Sequence, residues 1–254
     1  MNQLSRQKKI FKLVTKHGEC SVELLAKQCK ISEITIRRDL LSLADAGKII
    51  RTHGGAAIAE RITFEFNFQD RSLTNHKAKT AIAEKAVTMI GDVKSLLLGA
   101  GTTTLEIAKK IKDKKGLTVI TTSLPIASEL QFCENLQVLL IGGFLRHNSP
   151  DLTGALTEEN LENLHAEMGF LGADAINFDG GIYDDSINLA RMLSKMVSAS
   201  EIIYAVADHT KLGKKALAKY SSLTAWQGLI TDKDLPKSAL NQLQKAKINV
   251  ILAD

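Results

Sequence analysis

The chain has 254 residues, 44% of them hydrophobic, 24% charged and 5% aromatic, a balance that fits one or two globular domains and excludes disordered and fibrous classes. Cys20, Cys29 and Cys133 lie at no metal-ligand spacing, MNQLSRQKKIFKLV lacks a signal-peptide core, and no apolar run nears the roughly 18 residues of a membrane span. No disulfide framework, zinc site or membrane span is therefore expected, and the cytoplasm is the expected compartment.

Charge is unevenly spread. Residues 1–55 hold 11 Lys and Arg against 5 Asp and Glu, a net of +6, while the remainder holds 22 against 23. Cationic charge confined to a small segment suits contact with a polyanion, either nucleic acid or a membrane surface, and the near-neutral remainder points to a different task. An ordinary solvated helix surface would carry the same charge.

Three short helices are predicted first. In RQKKIFKLVTKH, Ile10, Leu13, Val14 and His17 recur on one side, and Gly18 stops the run. Ser21 is placed to cap SVELLAKQC, and Ser32 to cap EITIRRDLLSLADA, which Gly47 ends. Ile34, Leu40, Leu41 and Leu43 give this third helix an inward side and leave Arg37 and Arg38 outward. KIIRTHGG reads as a short strand bent back by two glycines, so the order is helix, helix, helix, wing. From Ala56 to about Asn75 the alternating Phe64, Phe66 and Phe68 read as a linker that partly packs.

A helix is expected over 77–90, after which short β-rich runs alternate with helical segments, the pattern of an α/β domain with a mainly parallel sheet. The predicted strands are 95–98, 117–121, 136–141, 167–171, 202–207, 228–230 and 248–252. Helices are predicted after Thr102 and over 125–132, 188–199 and 236–245.

The segment from Cys29 to Gly55 carries the most specific chemistry. A helix that reads DNA presents its N-terminal half to the major groove, with short polar side chains near the cap and Arg reaching phosphate or guanine N7 and O6. Ser32, Thr35, Arg37 and Arg38 match that need. Ser21 and the dipole of the preceding helix favour a backbone phosphate, and Arg51 and His53 of the wing add contacts from a second side. The bland alternative is that Ser32 is only a cap and that the arginines are solvated or bond Asp39 or Glu33.

In the second half, SLLLGAGTTTLEIAKKI is an apolar strand, a glycine turn and a helix that opens on hydroxyl residues. Free backbone N–H groups and the hydroxyls of Thr102 and Thr103, after Gly101, make a phosphate cradle there, although Gly and Thr also cap ordinary helices. Thr122 and Ser123, then Gly142 and Gly143, follow two further strands and belong to the same carboxyl edge, where ligands of open α/β sheets collect. Asp174, Asp208 and Lys211 can complete a polar pocket, or serve as loop caps and a solvated cation. The six histidines are too scattered for a metal site, and Asp184-Asp185 reads as a turn.

TIRRDL (35–40) with Leu43 and Gly47, and RTHGGA (51–56), resemble the winged helix-turn-helix signature of the DeoR family of bacterial transcriptional regulators. Gly101-Thr102-Thr103, Gly142-Gly143, FLGADAI (170–176), ADHTKLG (207–213) and LITD (229–232) follow in the order of that family's effector domain. The resemblance implies an N-terminal winged helix-turn-helix joined to a larger α/β domain similar to ribose-5-phosphate isomerase and glucosamine-6-phosphate deaminase. It also implies a regulator of a carbohydrate-utilisation operon, usually a repressor, that binds double-stranded operator DNA and senses a phosphorylated sugar; no cofactor, no metal and no membrane partner is expected. The expected division is 1–57 for DNA binding, 58–75 as linker, and 76–254 for effector sensing and oligomerisation. One recognition helix covers only a few base pairs, so a homo-oligomer, dimer or tetramer, is expected.

Departures from the family pattern bear on the pocket. Gly99 stands where the family commonly has Asp, and Ala175 where Gly is usual; Leu189-Ala190 and Leu193-Ser194 replace Glu-Ala and Lys-Arg, unless Lys195 takes over through a one-residue shift. A rival reading, a sugar-phosphate isomerase or deaminase with a DNA-binding appendage, needs a general base where Gly99 and Leu193 now stand. A third is a constitutive DNA binder whose effector pocket has lapsed.

Overall fold

The computed structural model describes residues 3–45, 49–57, 68, 70–146 and 149–254. Gly47 as a helix stop, the Phe64 and Phe66 alternation and His147 lie outside the described residues. Two compact units are present, residues 1–69 with 147–149, and residues 70–146 with 150–254.

The first unit runs α1 (Gln3–His17), β1 (Glu19–Ser21), α2 (Val22–Cys29), α3 (Glu33–Asp45), β2 (Ile50–Thr52) and β3 (Gly55–Ala57). Its core gathers Ile10, Phe11, Val14, Val22, Leu25, Ile36, Leu40, Leu43 and Ile49 around Cys20 and Cys29. Burial pushes both thiols up, which keeps them protonated and inert.

Three expected inward positions face outward instead: His17 is exposed, Ile34 is 69% exposed and Leu41 44%. At roughly 100° per residue, Ile36, Leu40 and Leu43 share one stripe, whereas Ile34 and Leu41, seven residues apart, share nearly the opposite one. Ile36 is fully buried in the place assigned to Ile34.

Lys30 closes α2 in the left-handed region at φ 56°, and the Ile31 N–H reaches back to the Ala26 carbonyl at 3.2 Å, which stops the helix and lets α3 begin under Ser32. The wing is a hairpin of β2 and β3, with β1 added on the other side of β3. A Cβ at Gly55 would lie 2.3 Å from the Cys20 carbonyl oxygen, so this close approach of two backbones requires glycine.

The second unit runs α4 (His76–Met89), β4 (Ser95–Leu98), α5 (Thr102–Lys110), β5 (Leu117–Thr121), α6 (Leu124–Leu130), β6 (Leu136–Leu140), β7 (Phe144–Leu145), β8 (Leu152–Thr153), α7 (Ala155–Glu162), β9 (Ala166–Gly172), β10 (Ala175–Ile176), β11 (Gly181–Asp184), α8 (Ile187–Ser198), β12 (Ser200–Val206), β13 (Ala218–Ser222), β14 (Gly228–Asp232), α9 (Lys237–Lys245) and β15 (Val250–Ala253). Seven strands form one sheet in the order β15-β14-β12-β9-β4-β5-β6, and every pairing is parallel.

Leu97, Ile120, Leu171 and Ile203 turn to one face of that sheet with Leu161 of α7, Met192 and Met196 of α8 and Leu243 of α9. Leu96, Leu98, Val119 and Phe170 alternate with them and are also buried. Burial on both faces accounts for the near-continuous apolar strands. β10, β11 and β13 make a small antiparallel sheet, and β7 pairs with β8. Among the described residues no helix is long and apolar enough to cross a membrane.

The strand order reverses direction between β4 and β9. All seven carboxyl ends therefore lie at one rim, with the reversal near its centre, the place where open α/β sheets bind ligands.

Candidate functional site

In the first unit, α3 is amphipathic in the sense that DNA reading requires. Ser32 accepts the Thr35 N–H at 3.4 Å and shares a hydroxyl contact with Thr35 Oγ1 at 3.0 Å. Arg37 and Arg38 are exposed. Arg37 pairs with Glu33 at 3.3 Å, and Arg38 has no partner among the described residues. Asp39 is not available to either, because it is 2% exposed and held by Arg6 of α1, Nε at 2.5 Å and Nη2 at 3.2 Å. This two-point bond locks α3 to α1 in a fixed rotation.

Ser21 accepts the Leu24 N–H at 3.2 Å, capping α2 at its exposed end. On the wing, Arg51 and His53 are both exposed, His53 at the hairpin turn.

In the second unit, the rim is built from strand ends that hold one another. The Thr121 hydroxyl donates to the Leu98 carbonyl at 2.7 Å and accepts the Ser123 N–H at 3.1 Å, so Thr122 and Ser123 lie beside the turn that opens α5. That helix starts at Gly101 without a side-chain cap, and Thr104 turns back to the Gly101 carbonyl at 3.0 Å. The first N–H groups of α5, at Thr102 and Thr103, therefore keep their positive end open. Both threonines are buried, at 6% and 8% exposure, and the Thr122 hydroxyl is buried with no hydrogen-bond partner. Ser123 caps α6 through the Ile126 N–H at 3.4 Å.

At the end of β6, Gly142 accepts the Thr157 hydroxyl at 2.7 Å. A Cβ on Gly143, at φ 153°, would stand 2.1 Å from that hydroxyl and 2.7 Å from the Thr153 carbonyl oxygen. Packing of the start of α7 alone thus demands Gly143.

Asp174, after β9, is paired with Arg71 at 2.9 Å and Lys211 at 3.0 Å. Burial works to raise its carboxyl, but Arg71 and Lys211 outweigh that and hold it below the usual carboxylate range. Asp208, after β12, accepts the Thr210 N–H at 3.0 Å and the Asn75 amide at 3.1 Å, a loop-capping role. Its carboxyl is also held low, the Thr210 hydroxyl and N–H overcoming burial. His209 bonds Asp232 through both its N–H, at 2.8 Å, and Nδ1, at 2.7 Å, which uses both carboxylate oxygens to pin this loop to β14.

Sequence reasoning missed several residues of the rim. Lys79 is 5% exposed and donates to the carbonyls of Arg71 and Thr74; burial pushes its ammonium down, while Asp208 pulls it up. A signal was present, since Lys79 occupies the stripe of Ile82, Ala83 and Ala86, and an amine in an apolar stripe needs a reason. Arg146, bonded to Asp151 at 2.9 Å, acts electrostatically on both Asp174 and Asp184.

Residues 6–61 match the DeoR-like helix-turn-helix domain, and residues 74–233 the DeoR C terminal sensor domain. Over its whole length the chain is 34% identical to the HTH-type transcriptional regulator GolR of Listeria innocua, covering 100% of both. The chain belongs to the DeoR family. Another member, the Glycerol-3-phosphate regulon repressor of Escherichia coli, is 29% identical to this DeoR regulator over 99% of the chain and 100% of the relative. Among solved structures, ribose 5 phosphate isomerase A from Neisseria gonorrhoeae covers 53% of the chain and 52% of its own at 19% identity and a TM-score of 0.38.

The departures of this DeoR regulator have visible surroundings. A Cβ at Gly99 would lie 2.6 Å from Leu171 Cδ2, so an apolar side chain fills the space beside the position where the family commonly has a carboxylate. Leu189 and Leu193 pack against the core, and Lys195 is paired with Glu162 of α7 at 2.6 Å, which occupies it away from the rim strands.

Proposed function

We propose that the protein is a sequence-specific repressor of a carbohydrate-utilisation operon, acting in the cytoplasm as a homo-oligomer on double-stranded operator DNA and controlled by a phosphorylated sugar at the strand-end rim. Residues 1–57 bind DNA, 58–75 connect, and 76–254 sense and oligomerise. The observation that carries this reading is α3. It buries Ile36, Leu40 and Leu43, is pinned by the Arg6–Asp39 bond, and turns Ser32, Thr35, Arg37 and Arg38 outward. Relatives named as regulators and a regulon repressor support it along the full chain.

At the rim, the uncapped start of α5 and the lone Thr122 hydroxyl suit a phosphate, and Arg71, Lys79, Arg146 and Lys211 supply a positive surround. Control requires the sugar phosphate to bind the operator-competent state and its alternative unequally. No turnover is expected, because Leu193 and Gly99 offer no general base.

The test recovers operator fragments from genomic DNA with the purified full chain and challenges the complexes with a panel of sugar phosphates. Thr102→Asp is expected to keep operator binding and lose the response, since a carboxylate would stand where phosphate belongs. Binding without sequence preference would overturn the regulator reading, and catalysed isomerisation or deamination lost in Thr102→Asp would restore the enzyme.

A further inference from the structure

The ladder between β11 and β13 is irregular. Ile182 faces Ser221 and Tyr183 faces Lys219, which leaves Tyr220 as an extra residue without a partner in β11. Such a bulge re-aims a side chain. The Tyr220 hydroxyl is buried and has no hydrogen-bond partner, a costly state for a group that donates one bond and accepts two.

Asp184 sits opposite Ala218 and shares the face of Ile182, two residues away, and Tyr220 packs against the same buried cluster as Ile182. Asp184 is 7% exposed; Oδ1 accepts the Ser186 N–H at 2.8 Å, and Oδ2 has no partner among the described residues. Burial raises its carboxyl, Ser186 lowers it, and Asp174 raises it again, while Arg146 acts on both acids. Burial first, then Asp184 and Asp174, push the Tyr220 phenol up. Ala175 pairs with Tyr183 in the antiparallel ladder, so the next position sets Asp184 opposite Asp174, at the Asp174 end of the rim.

We propose that Asp184 and Tyr220 form the part of the effector site that reads sugar hydroxyls, so that the effector is a polyhydroxylated phosphate ester whose hydroxyls, and not only its phosphate, decide binding. A carboxylate oxygen accepts from one hydroxyl, and a phenol donates to, or accepts from, its neighbour. The Tyr220 hydroxyl is already withdrawn from water without a partner, and Asp184 keeps one oxygen unbonded, so an analogue lacking the matching hydroxyl leaves them unpaired and is rejected. This inference rests on the rim being the phosphorylated-sugar site proposed above.

Calorimetry on the full chain tests it, with inorganic phosphate, a panel of pentose, hexose and hexitol phosphates, their deoxy analogues and the free sugars as probes. Tyr220→Phe and Asp184→Asn are each expected to weaken the preferred sugar phosphate by about tenfold or more, to leave a deoxy analogue lacking the contacted hydroxyl and inorganic phosphate unchanged, and to bind operator normally without ligand. The melting temperature of unliganded Tyr220→Phe should hold or rise, because an unsatisfied hydroxyl is removed. A fall of several degrees would mean that the hydroxyl is bonded within the protein and would overturn the proposal, as would wild-type affinity of both variants for every sugar phosphate. Thr102→Asp separates the two readings. If it abolishes sugar-phosphate binding while the two hydroxyl-end variants bind normally, the phosphate site stands and the hydroxyl end falls. If no phosphate compound binds the wild type, the effector reading falls and the hydroxyl end with it. Free-sugar binding that Tyr220→Phe weakens and Thr102→Asp does not would discard the phosphate and keep the hydroxyl end.

Discussion

Arg37 and Arg38 are adjacent in sequence and differ in circumstance. Arg37 is engaged with Glu33 at 3.3 Å, both about half exposed, whereas Arg38 has no partner among the described residues. An exposed pair of this kind is weak, so DNA can take Arg37 from Glu33 at little cost. Arg37→Ala and Arg38→Ala should each reduce operator affinity without unfolding the unit. An arginine on guanine should cost about 1–3 kcal/mol and relax specificity, and one on phosphate should flatten the salt dependence by about one unit of slope. Titrations across a salt series distinguish these roles, and wild-type affinity in both variants would remove α3 as the reading helix. Asp184 makes a separate prediction about pH. Its carboxyl is raised in the folded state, so its favourable contribution is complete below the ordinary carboxylate range and is lost as pH rises through the raised value. Asp184→Asn, which keeps an oxygen for the Ser186 N–H, should therefore melt higher than wild type at neutral pH, and the gain should shrink toward pH 4.

At the level of elements, two backbone positions in the first unit predict opposite effects. Lys30 holds φ 56°, a region that costs a side-chain-bearing residue about 1–2 kcal/mol, so Lys30→Gly should stabilise the unit by about 1 kcal/mol in urea titrations. Gly55→Ala would push a methyl into the Cys20 carbonyl and should cost about 2 kcal/mol while loosening the wing and weakening operator binding. The sequence made α1 to α3 and the seven parallel strands legible because caps, glycines and runs such as Leu96-Leu97-Leu98 state their period directly. It hid β1, whose three residues turn only Cys20 inward, and α7, where only Thr157 and Leu161 are buried. β10, of two residues, is too short to show a period, and β11 and β13 mix polar with apolar residues and show no alternation until a partner is known. The rim divides likewise. Gly101, Thr122, Gly142, Asp174 and Asp208 follow directly from strand ends, so a reading of strands finds them. Arg71 and Arg146 reach it only through tertiary packing, and the proposed role of Tyr220 depends on a bulge that no sequence pattern announces.

For the whole molecule, a single reading helix is a weak binder, and the gain from a second copy is set by effective concentration. A fragment of residues 1–57 should therefore bind operator far more weakly than the full chain, and fusion to an unrelated dimeriser should restore part of the affinity. Gel-shift titration of the three proteins on one operator checks this; tight, specific binding by a fragment shown to be monomeric by sedimentation would contradict the proposed division of labour.

The centre of the large sheet is the pairing of β4 with β9, which joins Leu96, Leu97 and Leu98 to Met168, Gly169 and Phe170. On the ribosome that pairing cannot form until the chain has been made through Phe170, and chains are made at about 5–20 residues per second. Among the described residues, the buried core of the first unit comes from Ile10 to Ala56, all of which emerge long before. Each newly made molecule therefore passes through an interval in which α3 has been made while the large sheet has no central strand pair. A nascent chain stalled short of β9 thus carries the basic N-terminal segment without the centre of the large sheet. Pairing across some seventy residues is also the slow kind of contact to make, so it adds to that interval.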